Sequence, residues 1–275
     1  MSGATEAETA RTRAAVLEAG RIAMRWFRQP HESWEKGPGQ IVTEADLAID
    51  RFLRAELCGD GATAWLSEET EDDRRRLEAR DVWVVDPIDG TRSFAEGVAE
   101  FTICVALLRD ERPVLGFVYN PATEEMFEAI LGRGATRNGA PMRVSEIASL
   151  DDAHIVASRF ESRRRNFAAL VPTAALSSLG SLAYKLALVA AGRYDGYLSW
   201  RRTNDWDIAA AMLLVEEAGG RITDASGADI RLNRPEPVHS GVLAAGATLF
   251  PRLLAATASA NELYRADRRA RGLPE

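Results

Sequence analysis

The 275-residue chain carries 34 Lys+Arg against 41 Asp+Glu, a net charge of −7, with 46% hydrophobic and 27% charged residues. That composition excludes a chain too polar to fold, and the acidic balance argues against a nucleic-acid polymer held by bulk charge. The longest apolar run, Ile208–Val215, is far shorter than the roughly 20 residues of a membrane-spanning helix, so no membrane partner is expected.

The start of the chain, Met1 to Arg13, carries Glu6 and Glu8 without an apolar block and does not read as a signal peptide. The two cysteines, Cys58 and Cys104, form no C-x-x-C pair, which points to a reducing, cytoplasmic setting. From Glu8 to Arg28 the apolar positions Val16, Ala19, Ala23, Met24 and Phe27 recur at helical spacing. Gln29 to Gln40, with its prolines and glycines, reads as a loop, and Thr43-Glu-Ala-Asp46 opens a second helix through Ile49, Phe52, Leu53 and Leu57. Ala64-Trp65-Leu66 and Val82 to Asp86 are strand-like. Phe101–Leu108, Pro113–Tyr119 and Glu125–Leu131 suggest an antiparallel meander, followed by a tight Asn138-Gly139 hairpin.

Beyond residue 145 the pattern alternates. Strands are expected at His154–Ser158, Tyr194–Leu198, Arg221–Asp224 and Gly241–Ala245, and helices at Ser181–Ala191, Trp206–Ala218 and Leu249–Ala260. The fold class is therefore α/β in two units: residues 1–145 with helices on an antiparallel sheet, and residues 146–275 as an α/β half with parallel pairings.

Asp86-Pro-Ile-Asp-Gly-Thr91 is the most informative stretch. Val82–Val85 delivers Asp86 at a strand end, and Pro87 should force a turn that exposes Asp86 and Asp89. Two carboxylates and the Ile88 carbonyl are the oxygen ligands that hard cations prefer. Gly90 lets the backbone approach a ligand, and Thr91 adds a hydroxyl and an amide. Taken alone, the loop serves equally well as an ordinary turn. Ser67-Glu68-Glu69 follows a strand and could present two more carboxylates, or simply a solvated surface. Asp207 opens an apolar helix, where the helix dipole favours an ionised acid, as it would for any first-turn aspartate. Thr43 and Asp46 have the spacing of a helix-capping pair; Asp46 could instead accept a hydrogen bond from Thr91 and orient it toward a water. Lys36, near so many acids, could offset their repulsion.

These segments, in this order, resemble the inositol monophosphatase superfamily of magnesium-dependent, lithium-sensitive phosphatases. Asp86–Thr91 matches its D-P-I/L-D-G-T block, Trp206–Ala210 its W-D-x-A-A block, Glu68-Glu69 its paired glutamates and Val42–Asp46 its V-T-x-x-D segment. The resemblance implies a layered αβαβα sandwich, a homodimer, and metal ligation by Glu68, Asp86, the Ile88 carbonyl, Asp89 and Asp207. It implies roughly two or three Mg²⁺ ions, which activate a water for attack on a small phosphate ester. Catalytic roles fall on Thr91, Asp46 and Glu69, and phosphate contacts on Gly90, Thr91 and Lys36.

Inositol monophosphatases carry a glutamate for a sugar hydroxyl where this chain has Trp200. The segments Leu66-Ser-Glu-Glu69, Glu100-Phe-Thr102, Gly180-Ser181 and Thr203-Asn-Asp-Trp-Asp207 look closer to the bacterial 3'(2'),5'-bisphosphate nucleotidases. On that reading Trp200 stacks on a purine, Arg201 or Arg202 meets a second phosphate, and Gly180 and Ser181 lie on the substrate side. Packing for Trp200 and a solvated loop for the arginines are the plain alternatives. Inositol 1-phosphate or another sugar or alcohol phosphate remains an open substrate, and a catalytically idle metal-binding regulator is the alternative of a different class.

Overall fold

The computed structural model describes residues 3–29, 33–37, 40–59, 61, 63–159 and 175–259; side chains at 36, 37 and 40 are outside that description. Helix α1 (Glu6–Trp26) begins at Thr5, whose hydroxyl accepts the Glu8 N–H while the Glu8 carboxylate accepts the Thr5 N–H, two donors satisfied reciprocally. The stretch expected as a loop contains instead an antiparallel pair, β1 (Ser33–Gly37) and β2 (Gln40–Thr43), with Trp34 opposite Val42. The breakers Pro38 and Gly39 fall between the strands in sequence, so the composition that suggested a loop marks only the connection. Helix α2 (Glu44–Leu57) follows at once and buries Ile49, Leu53 and Leu57 along one face.

A seven-stranded sheet forms the first scaffold. Its strands are β3 (Ala64–Ser67), β4 (Asp81–Asp89), β5 (Thr102–Arg109), β6 (Arg112–Asn120), β7 (Glu125–Ile130), β8 (Gly134–Arg137) and β9 (Ala140–Pro141), paired in chain order. β3 and β4 are parallel and the other pairs antiparallel, so the expected meander is present. Both faces are covered. Trp83 and Val85 of β4 pack with α1 and α2, while Val82 and Val84 face the opposite way into a second core, as strand alternation requires.

That second core is shared with the other sheet. β10 (His154–Ser158), β11 (Ala175–Leu179), β12 (Gly196–Asn204), β13 (Gly220–Thr223) and β14 (Val238–Gly246) take the order β11-β10-β12-β14-β13. β11, β10 and β12 run parallel, and β14 is antiparallel to β12 and β13. Helices α4 (Leu182–Ala190) and α5 (Asp205–Glu217) lie between the sheets, with α3 (Thr91–Ala95) as one short turn ahead of them. Burial on both sides explains why Ile208–Val215 is apolar all round. Helix α6 (250–259) covers the outer face of the second sheet, where Phe250 and Leu253 meet Ile155, Leu198 and Leu243. Five layers result, αβαβα.

β11 was not expected from the sequence, and two further strands end elsewhere than expected. Pro87 does not end β4, which runs on to Asp89; the pairing with β5 shifts register between Asp86 and Asp89, so the missing Pro87 N–H falls where the ladder is already broken. β12 does not stop at Leu198 but continues to Asn204, with a register shift against β14 between Ser199 and Arg202.

Candidate active site

The irregular end of β4 is what builds the site. After the register break, the Asp86 carboxylate turns back to accept the Ile88 N–H at 3.0 Å through Oδ1. Its other oxygen, Oδ2, is buried and has no hydrogen-bond partner. Ligand-bearing oxygens of Glu68, Asp86 and Asp207 all lie within 4.8 Å of one another. Three acids from the end of β3, the end of β4 and the first turn of α5 thus converge.

Such crowding has an electrostatic cost. Burial, then the charges of Glu68, Asp89, Asp207 and Asp46, push the Asp86 carboxyl well above the ordinary carboxylate range. Asp207 is pushed up to about 7 by burial and by Asp89 and Glu68, against the opposing pull of the Asn204 N–H at 2.7 Å and the Thr203 hydroxyl at 2.9 Å. Burial also raises Asp46, to about 6, with Glu68 adding to the effect. The protein solvates these carboxylates poorly. A divalent cation bound among them would reverse each of these shifts, and the orphaned Oδ2 of Asp86 is the kind of hard oxygen donor it needs.

Asp46 makes both contacts weighed for it. Oδ2 accepts the Thr43 N–H at 2.8 Å and the Thr43 hydroxyl at 2.5 Å, at the start of α2. Oδ1 lies 3.3 Å from the Thr91 hydroxyl, which is also 2.9 Å from the Ile88 carbonyl, two acceptors for one proton. Asp89 is held from the other side: its Oδ2 accepts the Ser181 hydroxyl and the Ala183 N–H, each at 2.6 Å, at the N-terminus of α4. Ser181 is therefore engaged with Asp89, and its oxygen also accepts the Tyr184 N–H at 3.0 Å.

A cavity of about 560 Å³ opens over this floor, lined by Glu68, Asp86, Ile88, Asp89, Gly90, Thr91, Gly180, Ser181 and Asp207. Gly90 sits at φ +94°, and a Cβ there would stand 2.8 Å from the Glu100 carbonyl, so the loop closes tightly because no side chain intervenes. Gly180 is equally constrained, with its N–H donating to the Glu100 carboxylate at 2.5 Å.

Part of the cavity wall is basic. Arg92, Arg159, Arg201 and Arg202 line the same cavity, and Arg159 pairs with Glu100 at 2.6 Å. Sequence reasoning placed Arg201 here and missed Arg92, Arg159 and Lys185. Lys185 is buried, donates to the Leu179 and Gly180 carbonyls at 3.2 and 3.1 Å, and lies 5.7 Å from the Tyr197 ring centre. A lone cation inside the apolar run Leu182–Ala190 was the available signal.

Two expected site residues stand elsewhere, and the side chain of a third is not described. Glu69 lines a separate cleft of about 710 Å³ with Asp50, Arg54 and Cys58. Trp200 packs with the core under α6 rather than among the residues lining the acidic cavity, because the extended β12 and its register shift send it to the outer face. Lys36 belongs to β1, and its side chain lies outside the described residues.

The sequence model of the inositol monophosphatase family matches residues 5–263. The chain belongs to the inositol monophosphatase family. It is 35% identical over 243 residues to an inositol-1-monophosphatase of Rhizobium meliloti, covering 84% of this chain and 88% of that one. A fructose-1,6-bisphosphatase/inositol-1-monophosphatase of Thermotoga maritima is 35% identical over 209 residues, 75% of this chain and 80% of the relative. Among solved structures, the extragenic suppressor protein suhB of Bartonella henselae superposes with a TM-score of 0.82 at 29% identity, covering 92% of this chain and 98% of its own. Membership in this phosphatase family accounts for the layered fold and for acids gathered on one cavity floor. Among the described residues, no helix is long and apolar enough to cross a membrane.

Proposed function

We propose that the chain is a Mg²⁺-dependent phosphomonoesterase whose substrate is a small metabolite carrying a second anionic group, with adenosine 3',5'-bisphosphate as the leading candidate. The observation that carries the metal reading is the unpartnered Asp86 Oδ2 within a cluster of three acids. Glu68, Asp86, the Ile88 carbonyl, Asp89 and Asp207 would hold the metal; all line the cavity and all offer oxygen. When bound, Mg²⁺ neutralises phosphate charge and makes a water nucleophilic near neutral pH.

The chain's own groups do the rest. With the Ile88 carbonyl engaged on a metal, the Thr91 hydroxyl would donate its hydrogen bond to Asp46, which turns the Thr91 oxygen's lone pairs toward the cavity, where they can orient a water. The N–H groups of Gly90 and Thr91, at the turn into α3, would meet phosphate oxygens. Residues 1–145 supply most of the ligands, and residues 146–275 supply Asp207 and the substrate side. Packing of Trp200 in the core removes base stacking from the reading, so the second anion rests on Arg201 and Arg202, both exposed on the cavity wall. A reducing cytoplasm and a homodimer complete the proposal.

The relatives named as inositol-1-monophosphatases favour inositol 1-phosphate as the second reading. Phosphate release with Mg²⁺ and with EDTA, measured on adenosine 3',5'-bisphosphate, inositol 1-phosphate, fructose 1,6-bisphosphate and histidinol phosphate, separates them. Preference for the first supports the two-anion reading and preference for inositol 1-phosphate replaces it. Silence on all four leaves the idle-regulator alternative.

A further inference from the structure

Helix α2 carries a second buried acid one turn beyond Asp46. Residues four apart share a helix face, so Asp46 and Asp50 both point at the sheet end where the ligands gather. Asp50 is 5% exposed. Its Oδ1 accepts the Ser67 hydroxyl at 2.5 Å, and its Oδ2 accepts the Thr70 hydroxyl at 2.6 Å. Ser67 Oγ in turn accepts the Glu69 N–H at 3.3 Å. The turn from Ser67 to Thr70 carries Glu68, one of the three clustered acids, and is tied at both ends to one carboxylate. The Glu68 N–H also donates to the Val85 carbonyl at 3.3 Å, next to the pairing of Ser67 with Val85 in the sheet.

We propose that Asp50 is a positioning residue for metal binding: by clamping both ends of the Ser67–Thr70 turn, it holds the Glu68 carboxylate in the ligand cluster with Asp86 and Asp207. The proposal rests on the metal reading above. Carboxylate oxygens of Glu68, Asp86 and Asp207 lie within 4.8 Å of one another, and like charges that close repel, which favours displacement of the Glu68 turn when no cation is bound. Two short hydrogen bonds to the Asp50 carboxylate oppose that displacement and keep the site formed before the cation arrives. One face of α2 would thus organise both halves of the site, the Asp86–Thr91 loop through Asp46 and the Glu68 turn through Asp50.

The test is Mn²⁺ binding to the full-length protein, measured by calorimetry at one pH, alongside melting in EDTA. Asp50→Ala should weaken Mn²⁺ binding roughly 10–100-fold, the usual effect of losing a group that orients a metal ligand. Asp50→Asn, which can still meet both hydroxyls, should recover most of the affinity. Should Asp50→Ala fail to fold, Thr70→Val and Ser67→Ala each cut one of the two bonds and should each give part of the loss. A purely structural Asp50 would lower the melting temperature in EDTA and leave Mn²⁺ affinity at the wild-type value; that result overturns the role while leaving the metal site standing. Wild-type protein that binds no Mn²⁺ overturns the metal reading itself, and this role with it.

Discussion

The floor and the wall of the cavity are built on opposite terms. The floor is acidic and buried, and its groups are fixed by several hydrogen bonds each: Asp46 by Thr43 and Thr91, Asp89 by Ser181 and the start of α4, Asp207 by Thr203 and Asn204. The wall is basic, with Arg201 and Arg202 exposed at a strand whose register has slipped. The floor's geometry tolerates little change, since each of these acids is held by more than one hydrogen bond. Wall residues can be exchanged without disturbing those bonds. Chemistry common to a phosphatase family belongs on the first kind of surface, and choice among phosphate esters on the second.

The sharpest way to break this division is to remove a charge from the floor. Asp89→Asn should abolish turnover while the protein remains folded, as judged by circular dichroism and melting in EDTA. Mg²⁺-dependent phosphate release at the wild-type rate in that variant would show that the ligand set is wrong. Next in size, Thr91→Val should lower kcat by about 10²–10⁴-fold, the range for a group that manages a proton in the transition state, with Mn²⁺ affinity retained. On the wall the effect should depend on substrate. Arg201→Ala or Arg202→Ala should raise KM for a bisphosphate roughly 10-fold, the size of one lost charge-assisted hydrogen bond, and leave a monophosphate nearly unaffected.

The floor also has a signature in stability. Asp46 and Asp207 hold protons in the folded metal-free protein up to about pH 6 and 7, whereas the unfolded chain releases them near 3.8. Between these values the folded state binds more protons, so stability in EDTA should fall as pH rises from about 4 to 7. Saturating Mg²⁺ should flatten that fall, because the cation needs the ionised carboxylates. For the same reason, Asp86→Asn should melt higher than wild type in EDTA at neutral pH, though it is inactive. The smallest effect is expected at Trp200, where Trp200→Leu should cost some stability and leave KM unchanged.

The floor was far more legible in the sequence than the wall. Asp86, Asp89 and Thr91 sit on one hexapeptide, and Glu68 and Asp207 each follow or open an apolar segment whose secondary structure is readable from periodicity. For Asp46 the sequence offered capping and reaching Thr91 as alternatives, and the fold makes both contacts through different oxygens. What stayed hidden depended on register and on neighbours distant in sequence. Whether β12 ends at Leu198 or runs to Asn204 decides which face receives Trp200, and alternation gives no sign of the shift between Ser199 and Arg202. Pro87 suggested a chain break because the local rule ignores a ladder already interrupted at that point. The β1–β2 pair was hidden by the breakers Pro38 and Gly39, which lie between its strands in sequence. Asp50 looks like any helix acid until Ser67 and Thr70 are brought to it by the packing of α2 on the sheet.

The most direct test of a cation-gripping floor is anomalous diffraction from crystals of the protein grown with Mn²⁺. Peaks bounded by Glu68, Asp86 and Asp207, at the roughly 2.0–2.2 Å expected for oxygen ligands of a small divalent ion, are the expected result. A well-ordered cavity with no such peak, or Mn²⁺ seated away from these three carboxylates, would contradict it.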